Sequence, residues 1–382
     1  MRRAASVSDY RALARARLPH FLFEYLDGGS YAEVTARRNV TDLEAVALRQ
    51  RVLRDVSHID LSAELFGKRW AMPVGLGPIG LSGLYARRGE VQAAKAAAAA
   101  GVPFSLSTLS ACPVGEIAEK AGPGFWFQLY IVKDRGFVAD MIASAKQAGC
   151  EAILLTVDLA VPGARYREYR AGMSSAPGSR SGSHRMAQVV RRPKWVWDVG
   201  VRGRPHTLGN LEPLLGSGAA LQDLMGWVGS NFDASVGWKD VEWVRQQWDG
   251  PLIIKGILDP EDARQAAENG VDGIVVSNHG GRQLDGVVST ARALPGIAEA
   301  VGGRMPVLVD GGVRSGLDVV RMLALGADFV LLGRAWAYAL AAAGQQGVAH
   351  VLELVEAEMR VAMALTGTTK ISELGVETLD QA

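Results

Sequence analysis

The stretch PVLVDGGVRSGLDVVRMLALGADFVLLGR, residues 306–334, reads as a strand, a glycine turn, a helix and a second strand in one short run. Its apolar segments at 306–310 and 329–332 are of strand type, and the segment 316–325 between them repeats its apolar residues at helical spacing. A strand, a crossover helix and a second strand form a parallel unit. Both strands end in polar and glycine residues, Asp310-Gly311-Gly312-Val313-Arg314 and Gly333-Arg334.

Outward from this unit the same alternation runs from Met72 onward. Strands are expected at 73–76, 102–106, 125–129, 152–157, 252–255, 273–277, 306–310 and 329–332, and helices at 87–100, 114–120, 135–148, 238–248, 260–269, 290–301, 316–325 and from Trp336. Eight such units close an α/β (β/α)8 TIM barrel over about residues 72–365, within a single domain spanning 1–382. An N-terminal helical segment, 8–26, and a connector are expected to cover one end of it. The fourth connection, a long loop at about 159–237, far exceeds the usual βα loop, and loops of that length carry function.

Composition narrows the function classes. With 48% hydrophobic residues in 382, the chain can bury a large core. A formal net charge of +1 gives no general field for nucleic acid, so none is expected as a partner. Two cysteines, Cys112 and Cys150, are too few for a disulfide framework, and the histidines show no ligand spacing, so no metal is expected. The first ten residues lack an apolar signal region and no apolar run reaches spanning length, so neither a secretory signal nor a membrane crossing is expected.

In a barrel of this class the active site forms where the strands end, so polar residues there are the candidates. The two final turns read as a phosphate site, because glycines admit backbone N–H groups to an anion and Arg314 and Arg334 supply charge. Lys255 ends an apolar strand, where a cation needs a negative partner, either a ligand ring or a structural carboxylate such as Asp310. His279 sits in a glycine-rich strand end three residues before Arg282, which brings an imidazole base and a guanidinium to one small carboxylate. Asp158, after the fourth strand, is placed to hold the imidazolium. Gln128 stands near the end of the third strand with Tyr130 just after it, and Thr156 lies on the fourth.

The run Ser277-Asn278-His279-Gly280-Gly281-Arg282-Gln283-Leu284-Asp285-Gly286 resembles the signature of the FMN-dependent L-2-hydroxy acid dehydrogenase and oxidase family. The resemblance extends from Phe23-Glu24-Tyr25 through Gly163-Ala164-Arg165 to Gly333-Arg334. It is nearest to the bacterial respiratory, quinone-linked branch acting on L-lactate, through Ala86 to Lys95, Asn231-Phe232-Asp233 and Trp238-Lys239-Asp240. It implies FMN as cofactor, contacted by Ser107, Gln128, Thr156 and Lys255, with the segment from Asp310 through Gly312 and Arg314 to Gly333 and Arg334 at its phosphate and ribityl parts. It implies substrate contacts from Tyr25, Tyr130, Arg165 and Arg282, with His279 as base supported by Asp158. Proton loss from C2 and from the hydroxyl both stay open. A homotetramer, a membrane quinone as electron acceptor and a peripheral position on the cytoplasmic face of the inner membrane are implied likewise. Glu168 departs from the usual Asp, Gly77 replaces a commoner Ala, and Gly80 resembles the dehydrogenases rather than the oxidases.

Within the long loop, Arg180, Arg185, Arg191, Arg192, Lys194, Arg202 and Arg204 stand against the single acid Asp198, with Trp195 and Trp197 among them. Basic charge with tryptophan suits an anionic membrane surface, and a solvated lid over the active site is the other reading. An oxidase of the same family, a mandelate or glycolate enzyme, and a barrel isomerase or nucleotide binder are the competing functions. His279 with Arg282 and Tyr130 weighs against the last.

Overall fold

The computed structural model describes residues 4–173, 181–215 and 224–380. Among them the strands are β1 (Ala63–Leu65), β2 (Lys68–Trp70), β3 (Val74–Leu76), β4 (Ser105–Ser107), β5 (Trp126–Leu129), β6 (Ala152–Thr156), β7 (Leu252–Ile257), β8 (Gly273–Val276), β9 (Val307–Val309) and β10 (Phe329–Leu332). Strands β3 to β10 form one parallel sheet in the order β3-β10-β9-β8-β7-β6-β5-β4. A parallel bridge between Leu76 and Phe104 brings its two edges together. The architecture is the (β/α)8 barrel, with strands within a few residues of the sequence expectation.

Alternation along each strand sorts the side chains. Phe127, Leu129, Ile153, Leu155, Ile274, Val276, Val307 and Val309 belong to the main core shared with the helices. Trp126, Leu154, Ile253, Val275, Leu308 and Leu331 form a second cluster inside the barrel. That period of two is what a closed parallel sheet requires.

Helices α4 (Gly89–Ala99), α5 (Val114–Ala121), α6 (Arg135–Gln147), α12 (Trp238–Arg245), α13 (Pro260–Glu268), α14 (Thr290–Val301), α15 (Gly316–Ala324) and α16 (Arg334–Thr366, interrupted at Gly344) follow the barrel strands. Several are capped as their sequences dictate. Asp134, Asp259, Ser289 and Ser315 each accept a backbone N–H from the first turn.

The N-terminal region departs from a single helix covering one end. Pro19 breaks it into α1 (Val7–Arg17) and α2 (His20–Asp27), because proline lacks the N–H that a helix interior needs. The connector holds a third helix, α3 (Val34–Glu44), and the β1–β2 hairpin. These pieces serve opposite ends. Leu65 and Trp70 of the hairpin join the inner cluster, with Trp70 and Phe66 each edge-on to Trp126, so the hairpin stoppers the N-terminal end of the barrel. The α2 helix lies at the other end, where Tyr25 reaches the cleft.

The long fourth connection is helical in much of its described length. It contains α7 (Tyr166–Ala171), α8 (Ser181–Val190), α9 (Pro193–Trp195) running into a wide turn Val196–Val201, α10 (Glu212–Leu215) and α11 (Leu224–Asn231). Of its two expected interfacial tryptophans, Trp195 is buried and donates Nε1–H to the Leu84 carbonyl at 2.8 Å, whereas Trp197 is 61% exposed. Arg192 is likewise committed to the Leu18 and Arg15 carbonyls. Arg180 lies outside the described residues.

Candidate active site

A cleft of about 1200 Å³, counted out to its open mouth, lies at the C-terminal ends of the strands. Tyr25, Ser107, Gln128, Tyr130, Thr156, Arg165, Lys255, His279, Arg282, Asp310, Gly312, Arg314, Gly333 and Arg334 all line it. Asp158, the remaining candidate, stands directly behind His279.

The His279–Asp158 pair forms through backbone geometry across β7, which lies between β6, followed by Asp158, and β8, followed by His279. His279 has a left-handed backbone, φ +56°, unusual for a residue with a side chain. Its amide is held by Ser277 Oγ at 3.1 Å, and its Nδ1 lies 2.8 Å from Asp158 Oδ1. Asp158 fits there because the next strand offers Gly256, φ +116°, where a Cβ would come 2.6 Å from that of Asp158. Burial lowers the His279 pKa from its ordinary value, with Asp158 pulling the other way. Burial opposes charge on Asp158 also, but His279 and Lys255 outweigh it and hold the carboxylate below its usual range. The resting pair is thus a neutral imidazole beside a carboxylate. Nδ1–H donates to Asp158, and Nε2 has no protein partner among the described residues.

Lys255 is 4% exposed, with its Nζ 3.1 Å from Asp310 Oδ2 and donating to Ser277 Oγ at 2.9 Å. Ser277 in turn donates to Asp310 at 2.7 Å. Burial alone would discharge the ammonium, but Asp310 and Asp158 keep its pKa above the ordinary value. Lys255 is thus paired with a structural carboxylate and also lines the cleft.

Arg165 and Arg282 converge on one buried carboxylate. Glu168 Oε1 accepts from Arg165 at 3.3 Å and from Arg282 at 3.1 Å. Arg282 also donates to the Tyr25 and Gly28 carbonyls and lies over the Tyr25 ring, 4.9 Å from its centroid. In the sequence Glu168 stands out only as a departure from the usual Asp, and its spacing of three from Arg165, one helical turn, is the signal of their pairing. Arg334 donates to the Leu26, Gly280 and Gly28 carbonyls, and burial together with Arg282 and Arg314 pushes its pKa down to about 10. Gly312 approaches the α3 backbone so closely that a Cβ would sit 1.9 Å from the Asn39 carbonyl oxygen.

At the base of this arrangement Arg167 bonds Glu24, Asp27 and Glu33, while Asp27 also takes Arg11 and Tyr338. These contacts lock α1, α2, α7 and α16 together under the cleft mouth. Neither this network nor the cleft positions of Tyr85, Leu109, Leu159 and Val228 were read from sequence. Val228 comes from α11 in the long connection and is 2% exposed, so part of that connection roofs the cleft.

The residues fit an FMN ring and its phosphate tail. Gln128 Nε2 and Thr156 Oγ1 are buried without a partner among the described residues, although Gln128 Oε1 is engaged by Ser107 and Thr108. Orphaned polar atoms on a cleft wall call for a ligand with its own donors and acceptors. Five cations, Lys255, Arg165, Arg282, Arg314 and Arg334, face three carboxylates, Asp158, Glu168 and Asp310. The excess positive charge suits a phosphate and a carboxylate bound together.

A family model described as FMN-dependent dehydrogenase matches residues 14–381. The chain is 62% identical over 377 residues to the L-lactate dehydrogenase of Xanthomonas euvesicatoria pv. vesicatoria (strain 85-10), covering 99% of this chain and 96% of that one. It is 61% identical over 372 residues to the L-lactate dehydrogenase of Chromohalobacter salexigens, covering 97% and 94%. Among solved structures, (S)-mandelate dehydrogenase, described as a monotopic membrane protein, superposes with a TM-score of 0.93 at 36% identity over 100% of both chains. A mandelate oxidase gives 0.84 at 38% identity, covering 99% and 98%.

Proposed function

Because the chain belongs to the FMN-dependent dehydrogenase family, we propose that its cleft oxidises L-lactate to pyruvate. The observation that carries this reading is the meeting, in one cleft, of the His279–Asp158 pair with the guanidinium groups of Arg165 and Arg282. Similarity at about 60% identity to L-lactate dehydrogenases supports the choice of substrate.

Bound FMN supplies the acceptor for the two electrons that leave the hydroxy acid. Ser107, Gln128, Thr156 and Lys255 hold its ring, and the segment bearing Asp310, Gly312, Arg314, Gly333 and Arg334 holds its ribityl and phosphate parts. Arg165 and Arg282 carry two positive charges against one on Glu168, a net charge matched to one substrate carboxylate. Tyr25 and Tyr130, both buried, donate to the carboxylate or the hydroxyl. His279 Nε2 receives the proton that the substrate gives up, and Asp158 stabilises the imidazolium so formed. Lys255, at the wall where the ring would lie, would offset negative charge gained there.

Electrons pass onward to a membrane quinone, with the long connection as the docking surface on the cytoplasmic face. In the described part, Met186 and Val190 lie one helical turn apart and are exposed, as do Trp197 and Val201. Arg191, Lys194, Arg202 and Arg204 are exposed around them. An apolar stripe edged with cations matches an anionic interface. No helix among the described residues is long and apolar enough to cross a membrane. Anaerobic stopped-flow mixing of the purified yellow protein with L-lactate, D-lactate and L-mandelate tests the substrate assignment. Bleaching by L-lactate fastest of the three is expected, and preferential bleaching by mandelate refutes the lactate assignment. Reoxidation by a soluble quinone faster than by oxygen is expected of the dehydrogenase reading.

A further inference from the structure

Tyr85 follows the single turn Ser82–Leu84 between β3 and α4. It is wholly buried and lines the cleft, yet its hydroxyl has no hydrogen-bond partner among the described residues. A buried hydroxyl left unpaired is a standing cost that folds rarely retain without a use.

The hydroxyl is held in place. Leu81 takes a left-handed conformation, Leu84 N–H donates to the Leu81 carbonyl and Tyr85 N–H to that of Ser82. Trp195 donates to the Leu84 carbonyl from above. Of the nearby acids, Glu90 Oε1 accepts the Gly83 and Ala111 amides and Glu168 Oε1 accepts both arginines, while Glu90 Oε2 is buried and, like the Tyr85 hydroxyl, makes no hydrogen bond among the described residues. Tyr25, Arg282 and Glu168, all of the substrate-carboxylate corner, are among the ionisable groups that act on Tyr85, with Glu90 on the other side.

We propose that Tyr85 is a further substrate-binding residue, whose hydroxyl donates a hydrogen bond to the carboxylate held between Arg165 and Arg282. The proposal rests on the reading of this corner as a 2-hydroxy acid site. It makes a signature that a structural tyrosine would not give. Removing an unpaired hydroxyl relieves the empty site, while removing a ligand contact weakens binding.

The test is Tyr85→Phe in the FMN-loaded protein, which keeps the ring and its packing. Oxalate, a non-oxidisable dicarboxylate, is titrated against the flavin absorbance of parent and variant, and thermal unfolding is followed without ligand. We expect oxalate affinity to fall about tenfold, as for one hydrogen bond to a charged group, with KM for the oxidised substrate rising alongside it. The unfolding midpoint is expected to stay level or rise. Equal oxalate affinity in the two proteins, or a clearly lower midpoint in the variant, overturns the role of Tyr85. Failure of the parent to bind oxalate overturns the 2-hydroxy acid reading together with it.

Discussion

The two ends of the barrel interior are built from the same strands, two residues apart, and behave as different materials. Trp126, Leu154, Ile253, Val275, Leu308 and Leu331 pack as a dry cluster under the hairpin. Two positions further on stand Gln128, Thr156, Lys255, Ser277, Asp310 and Gly333, polar or open, around the cleft. Both sets face inward because side chains alternate along a strand. One step of that alternation takes the barrel from packing to chemistry. The lower rung is apolar packing in which only Ser105 Oγ and the hairpin's Trp70 Nε1 lack a partner among the described residues, whereas the upper rung leaves Gln128 and Thr156 unpaired on the cleft wall.

Mutations on the two rungs should therefore fail differently. On the lower rung, Trp126→Ala removes contacts with Phe66, Trp70 and Phe329 and is expected to cost about 3–5 kcal/mol of stability. Denaturant unfolding would measure it, and turnover per folded flavin should stay near the parent value. On the upper rim, Arg165→Met should lower kcat/KM roughly 10²- to 10³-fold, the scale of truncating one partner of a buried charge pair, while the protein remains yellow. A loss of FMN in place of catalysis would blur the distinction between substrate and cofactor corners.

Smaller effects sharpen the contrast. Thr156→Val deletes a hydroxyl with no protein partner, so FMN affinity should drop by roughly three- to tenfold while the apoprotein unfolds at the same or a higher temperature. A less stable apoprotein with unchanged FMN affinity would assign the hydroxyl to the scaffold. The pH dependence should be gentler still. Burial keeps His279 below its ordinary value of 6.5, so the neutral base persists at neutrality. As pH falls through the lowered pKa, His279 is protonated before substrate arrives and kcat/KM declines. An acid limb centred above 6.5 would contradict that environment.

The same strands are also what made the fold legible in sequence. Runs such as residues 152–157 and 329–332 are apolar on both faces, as a covered parallel sheet requires, and the polar residues that end them mark the rim. The β1–β2 hairpin was not legible, because three-residue strands around Phe66-Gly67 carry too few apolar residues to set a pattern. Helix α3 was hidden for a similar reason, because its buried face of Thr35, Asn39 and Leu43 holds a single large apolar residue among Arg37, Arg38, Asp42 and Glu44. His279, Lys255 and Asp310 stood out through their setting on strand ends, but Tyr25 and Arg165 came only through resemblance. They reach the cleft from α2 and the long connection, which no local pattern ties to the barrel. Trp195 shows the limit of composition, since a tryptophan among cations turned inward to bond the Leu84 carbonyl.

The central claim is that His279 takes the substrate proton in a cleft that holds FMN. Its most direct test is anaerobic mixing of the His279→Ala holoprotein with L-lactate beside the parent, with flavin absorbance followed on the millisecond scale. The account predicts that both proteins are yellow, that the parent bleaches, and that the variant stays oxidised. Bleaching of the variant at a rate near that of the parent would contradict it.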